Sequence, residues 1–108
     1  MFAVGSAEPR KQTVEVLAKV AALLRIRAGS LVVRGHTDAR SYRRSNYDNW
    51  HLSAARALVA RDLLVRNRLD ASRIETIEGH ADRRLKNAND PNAPENRRIE
   101  ILLRKETR

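Results

Sequence analysis

Along the first third of the chain the apolar positions recur at steps of three and four: Val14, Leu17, Ala18, Ala21 and Leu24, with Val16, Val20 and Leu23 widening the stripe. That spacing predicts a well-buried helix over Val14 to Leu24. Pro9 suits its first turn, Glu8 stands near the positive end of its dipole, and Gly29 is placed to close it in a left-handed conformation. Leu31-Val32-Val33 follows as a strand that runs into Gly35-His36-Thr37-Asp38. From Ala39 to Asn49 the apolar period lapses, and Arg40, Tyr42, Arg43, Arg44, Asn46 and Tyr47 make a long polar and aromatic loop. Asp48 or Asn49 then caps a second helix with apolar positions Leu52, Ala55, Val59 and Leu63, ending near Asn67. Ile74 to Gly79 is the next strand, Arg83 to Glu95 a polar loop holding Pro91 and Pro94, and Ile99, Ile101 and Leu103 alternate in a last strand. A short strand at Phe2 to Val4 is a further candidate. The order is helix, strand, helix, strand, loop, strand, which places the chain in the α/β class.

With 108 residues the chain fits one domain. Hydrophobic residues at 42% and charged residues at 32% suit a folded domain, while a mean hydropathy of -0.59 puts much of its surface in water. The longest apolar runs, such as Val20 to Leu24, are far too short to cross a bilayer. The first residues lack a basic segment followed by a long apolar run, so no secretory leader is expected within them. The absence of cysteine excludes disulfides and thiolate metal sites and leaves the redox compartment open. Lys and Arg number 22 against 13 Asp and Glu, a net charge of +9 carried mostly by arginine. Such a surface suits a polyanionic neighbour, nucleic acid or cell wall, and equally a simply solvated basic face.

Two segments echo each other: Val33-Arg34-Gly35-His36-Thr37-Asp38 and Ile77-Glu78-Gly79-His80-Ala81-Asp82. Both sit at strand ends, where α/β sheets usually hold ligands and where glycine lets backbone approach closely. On the second helix Asn49, Ser53 and Arg56 share one face at i, i+4 and i+7, so Arg56 stands beside the buried stripe. An arginine there needs an anion, either a carboxylate of the protein or that of a ligand. Asp38, ending a strand just before the loop to this helix, brings an acid toward the same cleft. The two could receive a zwitterionic amino acid head group, ammonium on Asp38 and carboxylate on the planar guanidinium of Arg56, or pair with each other; spacing leaves both open.

Three other chemistries have footholds. His36, Asp38, His80 and Asp82 offer two His-x-Asp pairs of the types that bind zinc, but no element supplies a general base for a metal-dependent hydrolase. Asp48, His51 and Ser53 are near in sequence, yet Ser53 has no nucleophile elbow around it and His51 reads as a surface residue. Arg40, Arg43 and Arg44 with two tyrosines could stack on bases, but no nucleic-acid-binding motif is present. Trp50 is expected to cover an edge of the core.

Four pieces in order, Gly35-His36-Thr37-Asp38, Asn49-x-x-Leu52-Ser53-x-x-Arg56-Ala57, Gly79-x-Ala81-Asp82 and Asn96-Arg97-Arg98-Ile99-Glu100-Ile101, resemble the OmpA-like C-terminal domain family over almost the whole chain. The resemblance implies an OmpA-like two-layer sandwich, a mixed β-sheet with helices packed on one face, filling residues 1–108 as a single peptidoglycan-binding domain and forming a fragment of a longer protein. It implies noncovalent binding of diaminopimelate in the peptide stem, with Asp38 on the ammonium, Arg56 on the carboxylate, Thr37, Asn49 and Leu52 lining the pocket and Arg97 alongside. No catalytic residue, metal or cofactor is implied.

The stretch Ser45-Asn46-Tyr47-Asp48-Asn49-Trp50-His51-Leu52-Ser53 and the loop with Asp90-Pro91 are similar to the flagellar stator group of that family, MotB. This resemblance implies a periplasmic, commonly homodimeric domain that anchors a flagellar motor stator to the cell wall. A membrane segment outside these residues would tether it to the inner membrane and to the stator partner subunit. Ion conduction belongs to that segment, and no nucleic-acid partner is implied. An anchor in another OmpA-like envelope protein is the alternative.

Overall fold

Six consecutive residues, Ser30–Gly35, form the strand β1 around which the other elements are arranged. In the computed structural model, which describes residues 1–40 and 48–105, β2 (Ile74–Gly79) pairs with β1 in parallel and β3 (Ile99–Arg104) pairs with its other edge antiparallel. The sheet order is therefore β2-β1-β3. Leu31 and Val33 are buried under the helices, and Val32, on the other face, is buried with its register partners Thr76 and Leu102 on either side. Register fixes the sides: Val33 stands level with Ile77 and Ile101, and Leu31 with Ile74 and Leu103. These residues join Leu17, Ala21 and Leu24 of α1 (Lys11–Arg25) and Ala57, Ala60, Leu63 and Leu64 of α2 (Asn49–Arg66) in one core. Both helices thus cover the same face of the sheet, a two-layer α/β sandwich as expected. The alternate positions Arg34, Glu78 and Glu100 lie level with one another on the opposite face.

Two glycines explain how the start of α2 reaches the strand ends. Gly35 and Gly79 are register partners. A Cβ on Gly35 would overlap the Ser53 carbonyl, and one on Gly79 would lie 2.7 Å from Ser53 Oγ and 2.8 Å from the Ala54 nitrogen. Helix and sheet therefore touch backbone to backbone here. Ser53 completes the seam: its hydroxyl donates to the Trp50 carbonyl at 3.0 Å and accepts from the Ala81 N–H at 3.0 Å.

Several expectations are corrected. The first helix begins at Lys11 with Arg10 as N-cap, so Pro9 and Glu8 lie outside its first turn. The segment from Phe2 to Val4 is no strand: Phe2 makes one isolated antiparallel bridge with Pro9 and buries its ring. Ile26, not Gly29, terminates α1. Gly29, at φ 128°, turns the chain into β1 beside the Arg104 carbonyl, where a side chain would collide. Val16 and Leu23 are exposed, because the core meets only the line through Thr13, Leu17, Ala21 and Leu24. On α2 the buried line is Leu52, Ser53, Arg56, Ala57, Ala60, Leu63 and Leu64, with Ala55 and Val59 only partly covered. Apolar spacing misjudged this face because two of its members, Ser53 and Arg56, are polar. Trp50 is 51% exposed instead of covering the core, with the Arg83 guanidinium 5.9 Å from its ring. Asp48 is the N-cap, accepting from the His51 N–H at 3.0 Å. The features expected at residues 41–47, including Tyr42, Arg43, Arg44 and Tyr47, lie outside the described residues. No helix among the described residues is long and apolar enough to cross a membrane.

Candidate functional site

The six residues singled out from sequence converge at one end of the sheet. Thr37 and Asp38 follow β1, Asn49, Leu52 and Arg56 come from the first half of α2, and Arg97 leads into β3. Asp38 is 4% exposed, and its Oδ2 takes a 2.8 Å bond from Arg97 Nη1 and a 3.0 Å bond from Arg40 Nη1. Oδ1 accepts from the Arg40 N–H at 3.2 Å. The two cations differ: the Arg97 side chain is 7% exposed and that of Arg40 is 44% exposed. Thr37 is buried, with Oγ1 donating to the Asp38 carbonyl at 2.9 Å, and Leu52 of α2 is buried as well. Asn49 is partly exposed and donates to the Arg40 carbonyl at 2.9 Å.

The picture of Arg56 as an open guanidinium in a groove is corrected, since the residue is wholly buried. Its Nε donates to the Ser6 carbonyl at 2.9 Å, Nη1 to the His36 carbonyl at 3.0 Å and Nη2 to the Ala3 carbonyl at 3.1 Å. The guanidinium carbon also lies 5.1 Å from the centre of the Phe2 ring. Arg97 Nε donates to the Phe2 carbonyl at 2.8 Å. Two buried arginines thus grip the N-terminal segment through its main-chain carbonyls, and the Asp38 carboxylate is held by Arg97 and Arg40. Arginine suits both tasks because its planar fork directs several donors at once.

The two His-x-Asp pairs do not assemble a metal centre. His36 and His80 do meet, with rings stacked 5.1 Å apart. Their Nε2 atoms point to Glu100 and Glu78, each at 2.8 Å, while Asp38 goes to Arg97. Among the described residues no group of three His, Cys, Asp or Glu side chains is placed to hold an ion. Ser53, engaged in the helix and sheet seam, has Asp48 and His51 bonded to each other at 2.9 Å near the exposed helix start.

A sequence model described as the OmpA family matches residues 1–99. The chain belongs to the OmpA family. LafU of Escherichia coli O44:H18 (strain 042 / EAEC) is 34% identical to this OmpA-family domain over 103 residues, covering 95% of the chain and 34% of LafU. Motility protein B of Escherichia coli K12 is 31% identical over 105 residues, covering 95% of the chain and 34% of that protein. The chain therefore spans about a third of the length of both. The cell wall anchor of the T6SS from Pseudomonas aeruginosa, a solved structure, is 35% identical and superposes with a TM-score of 0.78 over 98% of this chain and 76% of its own.

Sequence reasoning missed three contributors to the site of this OmpA-family domain. The carbonyls of Phe2, Ala3 and Ser6 carry no side-chain signal, so nothing in the residue types marked them as partners for arginine. Arg40 was visible only as part of a basic cluster. Asn96 is wholly buried, and its side-chain amide donates to the carbonyls of Asn87, Asp90 and Pro91 at 3.1–3.2 Å and accepts from the Asn87 N–H at 2.8 Å. Pro91 in turn accepts from the Ala39 N–H at 2.9 Å, so Asn96 props the loop against the turn that carries Asp38. Its place beside Arg97 and Arg98 in the matched motif was the signal available.

Proposed function

We propose that this OmpA-family domain is a non-catalytic module that binds peptidoglycan reversibly through the diaminopimelate of the peptide stem. The observation that carries the reading is the two-sided setting of Asp38: one partner, Arg97, is buried and fixed, and the other, Arg40, is exposed. A ligand ammonium takes the place of the Arg40 guanidinium on Asp38, leaving Arg97 in position. For the ligand carboxylate to reach Arg56, which is wholly buried, the N-terminal segment gives up the Ala3 carbonyl contact to Nη2, and a carboxylate is the stronger acceptor for a guanidinium. Thr37, Asn49 and Leu52 line the approach. Asn49, bonded to the Arg40 carbonyl, moves with that residue.

The likeness to Motility protein B supports a periplasmic domain that anchors a flagellar stator to the wall. Dimerisation, the stator partner subunit and an inner-membrane tether belong to the same proposal. The likeness to the T6SS cell wall anchor supports a second assignment, an anchor in another envelope assembly with the same ligand chemistry.

The test is co-sedimentation with purified sacculi, together with titration by free diaminopimelate. Asp38→Asn and Arg56→Lys are expected to lose binding while remaining folded by circular dichroism, because the first removes the charge that receives the ammonium and the second removes the two-pronged donor. Arg40→Ala is expected to bind at least as well as the native domain, because it vacates the ammonium's place. Unchanged sedimentation of both Asp38→Asn and Arg56→Lys would refute the pocket.

A further inference from the structure

The end of the domain away from Asp38 is strongly basic. Asp38 lies beyond the last residue of β1, whereas both helices end, β2 begins and β3 ends around its first, Ser30. The helices stop side by side, with Arg25 Nη1 donating to the Asn67 carbonyl at 2.6 Å. Arg73, just before β2, donates from Nε to the Gly29 carbonyl at 2.9 Å, and Arg104 is the register partner of Ser30. This convergence gathers the exposed cations Arg25, Arg27, Arg66, Arg68, Arg104 and Lys105 at one pole. The carboxylates there are engaged: Asp70 accepts from the N–H and the hydroxyl of Ser72, and Glu75 pairs with Arg104 at 3.2 Å. Arg27, Arg66, Arg68 and Lys105 have no side-chain partner among the described residues, so the pole keeps an excess of positive charge.

Cations near helix C-termini offset the negative end of the dipole, and Arg25 does so directly. Three features go further. Arg68 holds φ at 72°, a left-handed conformation that glycine adopts at less cost, so the position carries a charge where the backbone favours none. Ile26, between Arg25 and Arg27, is 79% exposed, and Leu23, one turn back on α1, is 56% exposed. An open depression of about 380 Å³ is lined by Arg27, Ala28, Leu103 and Lys105, with a cation to either side and an apolar floor. Apolar side chains projecting from among arginines suit a boundary where phosphate groups cover hydrocarbon: the guanidinium groups meet the phosphates and the apolar tips pass below them. A hydrophilic polyanion offers charge to the arginines and nothing for Ile26 to enter. We propose that this pole docks on an anionic lipid surface, with Ile26 and Leu23 entering the headgroup layer and a lipid phosphate seated between Arg27 and Lys105. All of these side chains are already at the surface, so docking needs no rearrangement of the fold.

The experiment is co-sedimentation of the whole chain with vesicles of phosphatidylcholine alone and of phosphatidylcholine mixed equally with phosphatidylglycerol. Binding is expected only to the mixed vesicles and is expected to weaken as salt is added. Each cation removed should weaken it about fivefold, so Arg27→Gln and Lys105→Gln are expected to act in step. Ile26→Ser, which leaves every charge in place, should weaken it several-fold as well. Arg68→Gly separates docking from folding: it should melt no lower than the native chain, because it relieves the left-handed backbone, and yet bind the vesicles less well. Equal binding to both kinds of vesicle, or native binding by Arg27→Gln and Lys105→Gln, would overturn the proposal. Native binding by Ile26→Ser alongside loss in the charge variants would overturn it too, and would assign the pole to a soluble polyanion such as nucleic acid. Asp38→Asn, altered at the opposite end, is expected to keep native vesicle binding, so this outcome and that of sacculus binding are read separately.

Discussion

The two sides of this small sheet treat charge in opposite ways. On the helix side Arg56 and Arg97 are almost wholly removed from water and are bonded to main-chain carbonyls, with one carboxylate, Asp38, between Arg97 and Arg40. On the open side Arg34, Glu78, His80, His36, Glu100 and Arg98 form a chain of side-chain pairs, most of them partly exposed. The first arrangement helps build the molecule, since Arg56 of α2 holds the carbonyls of residues 3 and 6 and Arg97 that of residue 2. The second decorates a sheet that is already formed. Buried charges are costly unless every donor is used, so they resist exchange, whereas exposed pairs gain little and trade partners readily.

The largest effect should follow from removing the guanidinium of Arg56. Arg56→Ala strands the carbonyls of Ala3, Ser6 and His36 and leaves a cavity under Phe2, a loss on the order of 3–5 kcal/mol for breaking a buried charged contact. Urea unfolding measures it directly. A change below about 1 kcal/mol would show that the N-terminal segment is held by other means. For this reason Arg56→Lys, which keeps the charge and most of the volume, is the better probe of ligand binding.

That contrast also marks what was legible in the sequence. The strands were legible: the alternation of Ile99, Ile101 and Leu103 placed β3, because a half-buried strand must alternate, and Ile74–Gly79 was placed between the second helix and the polar loop. The helices were found but their faces were misdrawn. Val16 and Leu23 are apolar and exposed, against the stripe that spacing drew, while Arg56, expected beside the buried stripe, lies with Ser53 inside it. The site residues were gathered correctly to one end of the sheet because the matched motifs fix their spacing. Their partners were not, because Arg56 bonds to backbone oxygens some fifty positions away and every residue has such an oxygen. The Gly35 and Gly79 echo was visible, and its cause, two register partners under a helix seated on its own backbone, required coordinates.

Intermediate in size is the response to acid, which separates the two sides by chemistry. His36 is held below its ordinary range by burial and by Arg98, so the unfolded chain takes up a proton before the folded one does. Its contribution is present above about pH 6.5 and is lost as pH falls toward the folded value. In Glu78 the bond from His80 outweighs burial, and in Glu100 burial is outweighed by the bonds from Arg98 and His36, so both carboxyls are held low and their contribution is lost only at more acid pH. Thermal melting in phosphate-free buffer should therefore show Tm declining from about pH 7.5 to about pH 5.5, and His36→Gln should flatten this upper part of the profile. A flat native profile over that window would mean that His36 titrates normally.

The smallest effect tests the decorative character of the open face. Arg34 and Glu78 sit side by side on neighbouring strands with side chains 29% and 32% exposed, so solvent screens their attraction and holding both chains in place costs entropy. Arg34→Ala is expected to cost only a few tenths of a kcal/mol by urea unfolding, about a tenth of the Arg56→Ala loss. Glu78 keeps its bond from His80, so no charge is left alone by the change. A loss as large as that of Arg56→Ala would erase the distinction between the two sides, for it would mean that the open-face pairs also hold the strands together.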